Sequence, residues 1–198
     1  MGSLAMARSL LLEISLEAQN DGKKALEKEL MFVGRLKNKD DLKKADEQIE
    51  QEQWIVRGDT DPESFVRVRS ENKKTFILTI KQKNPNGHMD ETEMECTRDM
   101  FEGVKALAKE GMVKTRYIFK VPDNDKLRWE IDVYYDDKGE FTKWCKVDLE
   151  VEDLRMKLPD FPVEFEEIIV GCKDKLTKED EKKKRDEAFA EFVTYKDK

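Results

Sequence analysis

Pairs of like charges two residues apart, set inside runs of alternating residues, constrain the fold of this chain more than any other feature. Six such pairs lie between residues 27 and 150, and their sign changes from run to run: Glu27/Glu29, Arg67/Arg69, Glu93/Glu95, Lys114/Arg116, Glu130/Asp132 and Asp148/Glu150. Positions i and i+2 of a β-strand lie on one face, and position i+1 lies on the other. Because the intervening residues are mostly apolar, the pattern predicts strands with one apolar face and one ionised face.

The alternating runs predict eight strands and few helices. Strands are expected at 27–35, 49–57, 64–70, 74–83, 89–96, 112–121, 127–136 and 142–152. Helices are expected at 38–48, 97–109, 163–172 and 178–193. The second helix has Thr97 as its N-cap and Gly111 as its stop, with Met100, Val104 and Leu107 on one stripe.

The N-terminal residues 8–26 fit two structures. Leu10, Leu12, Ile14 and Leu16 alternate as in a strand, but the run is also rich in helix formers. A strand is favoured here because Asn20-Asp21-Gly22 is a good turn signal.

The expected fold is mainly β (α+β), an eight-stranded antiparallel closed β-barrel with a few flanking helices. Residues 1–26 form an N-terminal extension with a tag-like start, 27–170 the barrel domain, and 171–198 a charged C-terminal helix or tail. A homodimer is compatible with this organisation.

Composition excludes several classes of function. A net charge of −7 argues against a generic nucleic-acid binder, which would carry a basic excess. No apolar run approaches the ~20 residues of a membrane helix, so no membrane partner is expected. The three cysteines are Cys96, Cys145 and Cys172, and their spacing suits neither a disulfide framework nor a zinc site. They predict reduced thiols in a cytoplasmic protein.

The ionised faces allow two interpretations. In the first, the sheet is open and its charged face is solvated, with cross-strand ion pairs worth only ~0.2–1 kcal/mol each. In the second, the charged faces converge inside a barrel, where burial is costly unless the charges are paired or matched by a ligand. Bases neutralise phosphoryl oxygens and carboxylates hold Mg²⁺ or Mn²⁺, so a polyphosphate with divalent cations suits such an interior.

The order of these motifs resembles the CYTH superfamily, the triphosphate tunnel metalloenzymes. Glu27-Lys28-Glu29 resembles the start of the family's ExExK opening, and the later pairs follow in the family's order, including Leu78-Thr79-Ile80-Lys81 on the fourth strand. The resemblance covers roughly residues 27–170. It implies a closed β-tunnel with a charged lumen that hydrolyses a triphosphate-containing small molecule, inorganic or on an organic or nucleoside carrier, with Mg²⁺ or Mn²⁺ as cofactor.

The resemblance also implies roles for individual residues. Substrate phosphates would be bound by Arg67, Arg69, Lys81, Lys114 and Arg116, and catalysis would depend on Lys81, Lys114, Arg116 and Glu150. Metal ligands would come from Glu27, Glu29, Glu93, Glu95, Glu130, Asp132, Asp148 and Glu150. Of these acids, Glu93, Glu95 and Asp132 could instead orient water or pair with the bases.

One position departs from the family pattern. The lysine expected two residues after Glu29 is Met31. Two alternatives to a triphosphatase therefore stay open: a non-catalytic polyphosphate- or nucleotide-binding protein, and an adenylate cyclase, in which the 3′-hydroxyl of ATP attacks its own α-phosphate.

Overall fold

The computed structural model describes residues 28–57, 64–83, 89–151, 158–170, 179–193 and 195–196, with only the backbone described for residues 28, 29, 83, 89, 150, 195 and 196. The strands are β1 (Lys28–Leu36), β2 (Glu47–Arg57), β3 (Phe65–Glu71), β4 (Thr75–Lys83), β5 (Met89–Glu95), β6 (Glu110–Val121), β7 (Asn124–Tyr135), β8 (Phe141–Val151), β9 (Phe165–Val170) and β10 (Tyr195–Lys196). The helices are a 3₁₀ helix (Lys39–Lys44), α1 (Arg98–Leu107) and α2 (Glu179–Phe192). The eight strands predicted between residues 27 and 152 are therefore found, whereas the strand favoured within 8–26 lies outside the described residues. None of the described helices is long and apolar enough to cross a membrane.

The strands form one sheet in the order β5-β4-β3-β2-β6-β7-β8-β1-β9, and β10 pairs with β6. Antiparallel registers join β2 to β3, β3 to β4, β4 to β5, β1 to β8 and β1 to β9. Within the described residues the sheet does not close on itself, because its path ends at β5 and at β9. The mainly β, antiparallel prediction is confirmed, whereas the closed barrel is not supported.

The chain divides into two compact units. The first unit comprises Met1–Gln48, Arg116–Val133 and Lys143–Ala190, and the second comprises Ile49–Thr115, Tyr134–Thr142 and Glu191–Lys198. Each unit is described separately below.

An aromatic cluster forms the core of the first unit. Trp129 packs 4.7 Å from Phe161 and 6.2 Å from Phe32, measured between ring centroids, and Phe161 meets the edge of Phe165 at 5.5 Å. Phe165 also lies over Gly34, where an added Cβ would come within 2.7 Å of its ring. This apolar face holds the alternate residues of β7, so Glu130 and Asp132 lie on the opposite face.

In the second unit, α1 packs on the apolar face of β3 and β4. Phe101 is the buried residue of α1, and its ring lies 5.3 Å from Phe76. Thr97 caps the helix by accepting a hydrogen bond from the Met100 N–H at 3.2 Å, as predicted. On the same side of the sheet, Trp54 packs against the backbone of Gly111.

Two predictions about α1 are wrong. Gly111 does not end the helix but lies in β6, because α1 ends at Leu107 and Ala108 is its C-cap. The predicted stripe is also misplaced, since Met100 and Leu107 are 48% and 71% exposed while Phe101 is buried. Phe101 and Val104 fit one face of a helix as well as the predicted Met100, Val104 and Leu107 do, and packing against Phe76 determines which face is buried.

The helix predicted at 163–172 is wrong as well. Residues Phe165–Val170 form β9, which pairs antiparallel with β1. The adjacent apolar residues Ile168, Ile169 and Val170 suit either a strand or a buried helix. Pairing with the edge of β1 makes this segment a strand.

Candidate functional site

The charged pairs whose side chains are described lie on single strand faces, as their spacing predicts; they are Arg67/Arg69, Glu93/Glu95, Lys114/Arg116 and Glu130/Asp132. Across the second unit, Arg67 on β3 pairs in register with Thr79 on β4, and Thr79 pairs with Glu93 on β5. Phe65, Lys81 and Glu91 form the next row of that register. On the face opposite α1, each of these two rows therefore contains one base and one acid. The third residue is a hydroxyl in the first row and an aromatic ring in the second.

Thr79 connects the arginine of its row to the acid. The Arg67 guanidinium donates to Thr79 Oγ1 from Nη2 at 3.0 Å and from Nε at 3.3 Å, and that hydroxyl donates to Glu93 Oε2 at 3.0 Å. Thr79 is fully buried. A buried hydroxyl that both accepts and donates fixes the rotamers on its two sides. Arg67 is therefore held in one orientation.

The remaining bases of this face are also held by carboxylates. Arg69 lies 3.1 Å from Glu71 and 3.5 Å from Glu93, and Lys81 Nζ lies 2.9 Å from Glu91. The arginine side chains are only 16–17% exposed, whereas those of Glu91 and Glu93 are 42% exposed. The bases are thus sheltered, and the solvent-facing partners are oxygen anions. We call these three bases, Arg67 and Arg69 on β3 and Lys81 on β4, the basic cluster.

Two other predicted residues of the second unit stand apart from these pairs. Glu95 is exposed and lies opposite Ile77 in register. Lys114 is buried, with its ammonium 5.7 Å above the Tyr134 ring.

Lys114 also lines a cavity of about 670 Å³ in this unit. The wall comes from β2, β3, β6 and the turn after β7: Glu50, Gln51, Glu52, Ser70, Lys73, Val113, Lys114, Thr115, Tyr135, Asp136, Asp137, Lys138 and Gly139.

The first unit contains a second charged cluster, built around Arg116. Its guanidinium binds Asp132 in two-pronged fashion, with Nε at 2.7 Å from Oδ1 and Nη2 at 3.0 Å from Oδ2, and Nη1 contacts Glu130. Asp132 is fully buried. Burial opposes the charged form of Arg116, but the hydrogen bond to Asp132 and the charges of Asp132, Glu130 and Asp148 outweigh it and raise its pKa. Arg116 therefore stays protonated.

Asp148 in the same unit is bound by a lysine that the charge pattern did not single out. Lys146 Nζ lies 2.6 Å from Asp148 Oδ2, and the Asp148 side chain is only 3% exposed. The pair belongs to one strand at spacing i, i+2, the same spacing that defines the predicted pairs, but its two charges are opposite in sign. The pattern of like charges two residues apart therefore does not identify Lys146.

The register of β1 and β8 brings further acids together. Glu29 lies opposite Glu150, and Met31 lies opposite Asp148. For Glu29 and Glu150 this is a backbone register alone, and Glu27 falls outside the described residues.

The described side chains contain no group of three carboxylate, histidine or cysteine residues arranged to hold a metal ion. In the register of β1 and β8, Glu29 lies opposite Glu150, and Asp148 lies two residues before Glu150 along β8. Oxygen ligands of this kind are those that Mg²⁺ and Mn²⁺ prefer.

Comparison with known proteins adds no assignment. No protein-family model matches the chain, and no curated protein matches it. Among solved structures, the crystal structure of the hypothetical protein NE1496 matches with a TM-score of 0.44 and 20% identity, over 64% of this chain and 76% of that one.

Proposed function

We propose that this protein binds a triphosphate on the charged face of its sheet and hydrolyses it with a divalent metal, as the CYTH resemblance implies. The observation that supports the proposal most is the basic cluster: two arginines and a lysine on one face of adjacent strands, each sheltered and each within reach of Glu91 or Glu93, which face solvent. A phosphate oxygen is an anion of similar geometry and accepts the same hydrogen bonds. Substrate would therefore replace Glu91 and Glu93 as partner of bases that are already oriented.

The residues of this face have separable roles in the proposal. Arg67, positioned by Thr79, and Arg69 offer planar guanidinium donors that suit two oxygens of one phosphate. Lys81 offers a point charge to a neighbouring phosphate. The resemblance also supports Arg116 in the first unit, whose orientation Asp132 fixes, and Lys114 in the cavity wall of the second unit as proposed phosphate-binding residues.

The acids opposed across β1 and β8 are the residues we propose for the metal. Glu29, Asp148 and Glu150 would hold Mg²⁺ or Mn²⁺ on the register described above, and Glu27, which lies outside the described residues, is proposed from the resemblance alone. When bound, such an ion supplies charge stabilisation and lowers the pKa of bound water. The remaining predicted acids, Glu93, Glu95, Glu130 and Asp132, pair with bases or lie apart from this register, so we propose them as orienting groups.

Met31 supports a second candidate function, binding without turnover. Its side chain is apolar and lies opposite Asp148, where the family pattern has a lysine. In that case the protein would retain triphosphate affinity and lack hydrolysis. Introducing Met31→Lys should then create or raise phosphate release. If the wild type already hydrolyses triphosphate and Met31→Lys leaves the rate unchanged, the missing lysine is not the reason for slow turnover.

Binding and turnover are tested separately on purified full-length protein. Calorimetric titration with tripolyphosphate, with Mg²⁺ and with EDTA, should show binding that weakens about 10- to 100-fold in Arg67→Met, the range of a lost charged hydrogen bond. Arg98→Met is the matched control, because Arg98 lies on α1, donates to the Lys73 carbonyl and stacks 5.4 Å from Phe76 on the other face. Equal affinity in Arg67→Met and wild type would contradict the proposal.

Turnover is scored by product. Orthophosphate released from tripolyphosphate or ATP with Mg²⁺ or Mn²⁺ supports hydrolysis, whereas cyclic AMP with pyrophosphate from ATP would identify a cyclase. Binding with neither product would favour the non-catalytic alternative.

A further inference from the structure

Lys146 is a sheltered lysine on the charged face of the first unit. Alternation along β8 places it on the same face as Asp148, and the register sets it opposite Val33 while Asp148 lies opposite Met31. Its side chain is 21% exposed and its ammonium binds an almost fully buried carboxylate at 2.6 Å. Lysine rarely occupies sheltered positions unless it is paired, and Asp148 is the partner that keeps this ammonium charged on the sheltered face.

Met31 and Lys146 flank the same carboxylate. Met31 faces Asp148 across the strands, and Lys146 reaches it along the strand. Diagonal neighbours across an antiparallel pair lie roughly 7–8 Å apart, which is within reach of a long side chain. A lysine at 31 and a lysine at 146 would therefore bring an ammonium to nearly the same place.

We propose that Lys146 is a phosphate-binding residue that supplies the positive charge Met31 does not. The inference depends on the proposed function and names one more residue of the same site. An ammonium has three donors, so it can hold Asp148 and a phosphate oxygen together. A carboxylate has two oxygens, so Asp148 can accept from Lys146 and still serve as a ligand. Lys146 on β8 thus supplies the positive charge that Met31 on β1 lacks.

The test moves the lysine between the two strands. Lys146→Met should weaken tripolyphosphate binding about 10- to 100-fold by calorimetry, in Mg²⁺ and in EDTA, as expected for one charged hydrogen bond. Adding Met31→Lys to Lys146→Met should restore most of the affinity. Lys143→Met is the control, because Lys143 is exposed and lies on the other face of β8; its affinity should equal that of wild type.

A purely structural role for Lys146 predicts different results. It would lower the melting temperature of Lys146→Met without changing affinity in the folded protein, and that outcome overturns the inference. If Lys146→Met fails to fold, Lys146→Gln, which keeps a neutral hydrogen-bond donor beside Asp148, is titrated in its place. Wild type that binds no tripolyphosphate would refute the proposed function itself, whereas binding unaffected by either Lys146 variant would refute this inference alone.

Discussion

Removing the Arg116 guanidinium tests how the charged cluster of the first unit is held together. The change is Arg116→Met, which keeps most of the side-chain stem and deletes the charge. Asp132 is fully buried and accepts two short hydrogen bonds from Arg116. The variant therefore leaves a buried carboxylate without its guanidinium partner.

The expected cost follows from that burial. Breaking a buried ion pair by removing one partner costs about 3–5 kcal/mol, because the other charge stays desolvated. For a chain of 198 residues, each kcal/mol corresponds to roughly 2–4 °C in melting temperature, so a fall of about 6–20 °C is expected. Arg128→Met is the control, since Arg128 is 54% exposed and lies 3.8 Å from Glu130; it should change stability by less than about 0.5 kcal/mol.

A second substitution makes the prediction specific. Asp132→Asn should destabilise the wild type, yet it should stabilise the Arg116→Met variant, because it removes a buried charge that has lost its guanidinium partner. Urea unfolding followed by circular dichroism measures all four members of the cycle, with an expected coupling of about 0.5–3 kcal/mol. An Arg116→Met cost below about 1 kcal/mol, or an Asp132→Asn cost that simply adds, would refute the reasoning.

Three further predictions concern other parts of the fold. Thr79→Val removes a buried hydroxyl that bonds on both sides; it should cost about 1–3 kcal/mol in urea unfolding and weaken tripolyphosphate binding, and an unchanged midpoint would contradict this. Gly111→Ala places a Cβ 2.5 Å from the Trp54 ring and should destabilise the protein by about 1–3 kcal/mol. Gly103→Ala lies in a helix where an added Cβ has nothing within 4 Å, and it should stabilise the protein by about 0.5–1 kcal/mol. Calorimetric melting that ranked the two variants in the opposite order would refute the packing. Burial raises the pKa of Cys145 from 9.0 to about 12, so its contribution to stability is present below pH 9 and is lost as the pH rises toward 12, by about 1.4 kcal/mol per unit. Cys145→Ala should flatten that decline in unfolding free energy, and equal slopes would exclude the thiol as its source.

The strands and their faces could be predicted from sequence because they depend on alternation alone. A period of two fixes which residues share a face wherever a strand forms, so Arg67 with Arg69 and Glu130 with Asp132 followed directly from spacing. The cap at Thr97 is equally local, since a cap bonds an N–H within its own first turn.

Strand partners could not be obtained in the same way. Residues 165–170 are apolar enough for either a helix or a strand, and β1, more than 100 residues earlier, decides the outcome by offering an edge to pair with. Closure of the sheet is likewise a property of all strands together, and alternation within each strand does not determine it.

The sequence by itself determined that this chain builds a sheet with bases and acids sorted onto one face of each strand, because spacing along a strand is covalent geometry. Tertiary structure decided which of those charges meet. Register placed Thr79 between Arg67 and Glu93, Met31 opposite Asp148, and Lys146 opposite Val33. Such contacts join residues far apart in the chain, and a shift of one residue in register would have exchanged every one of them.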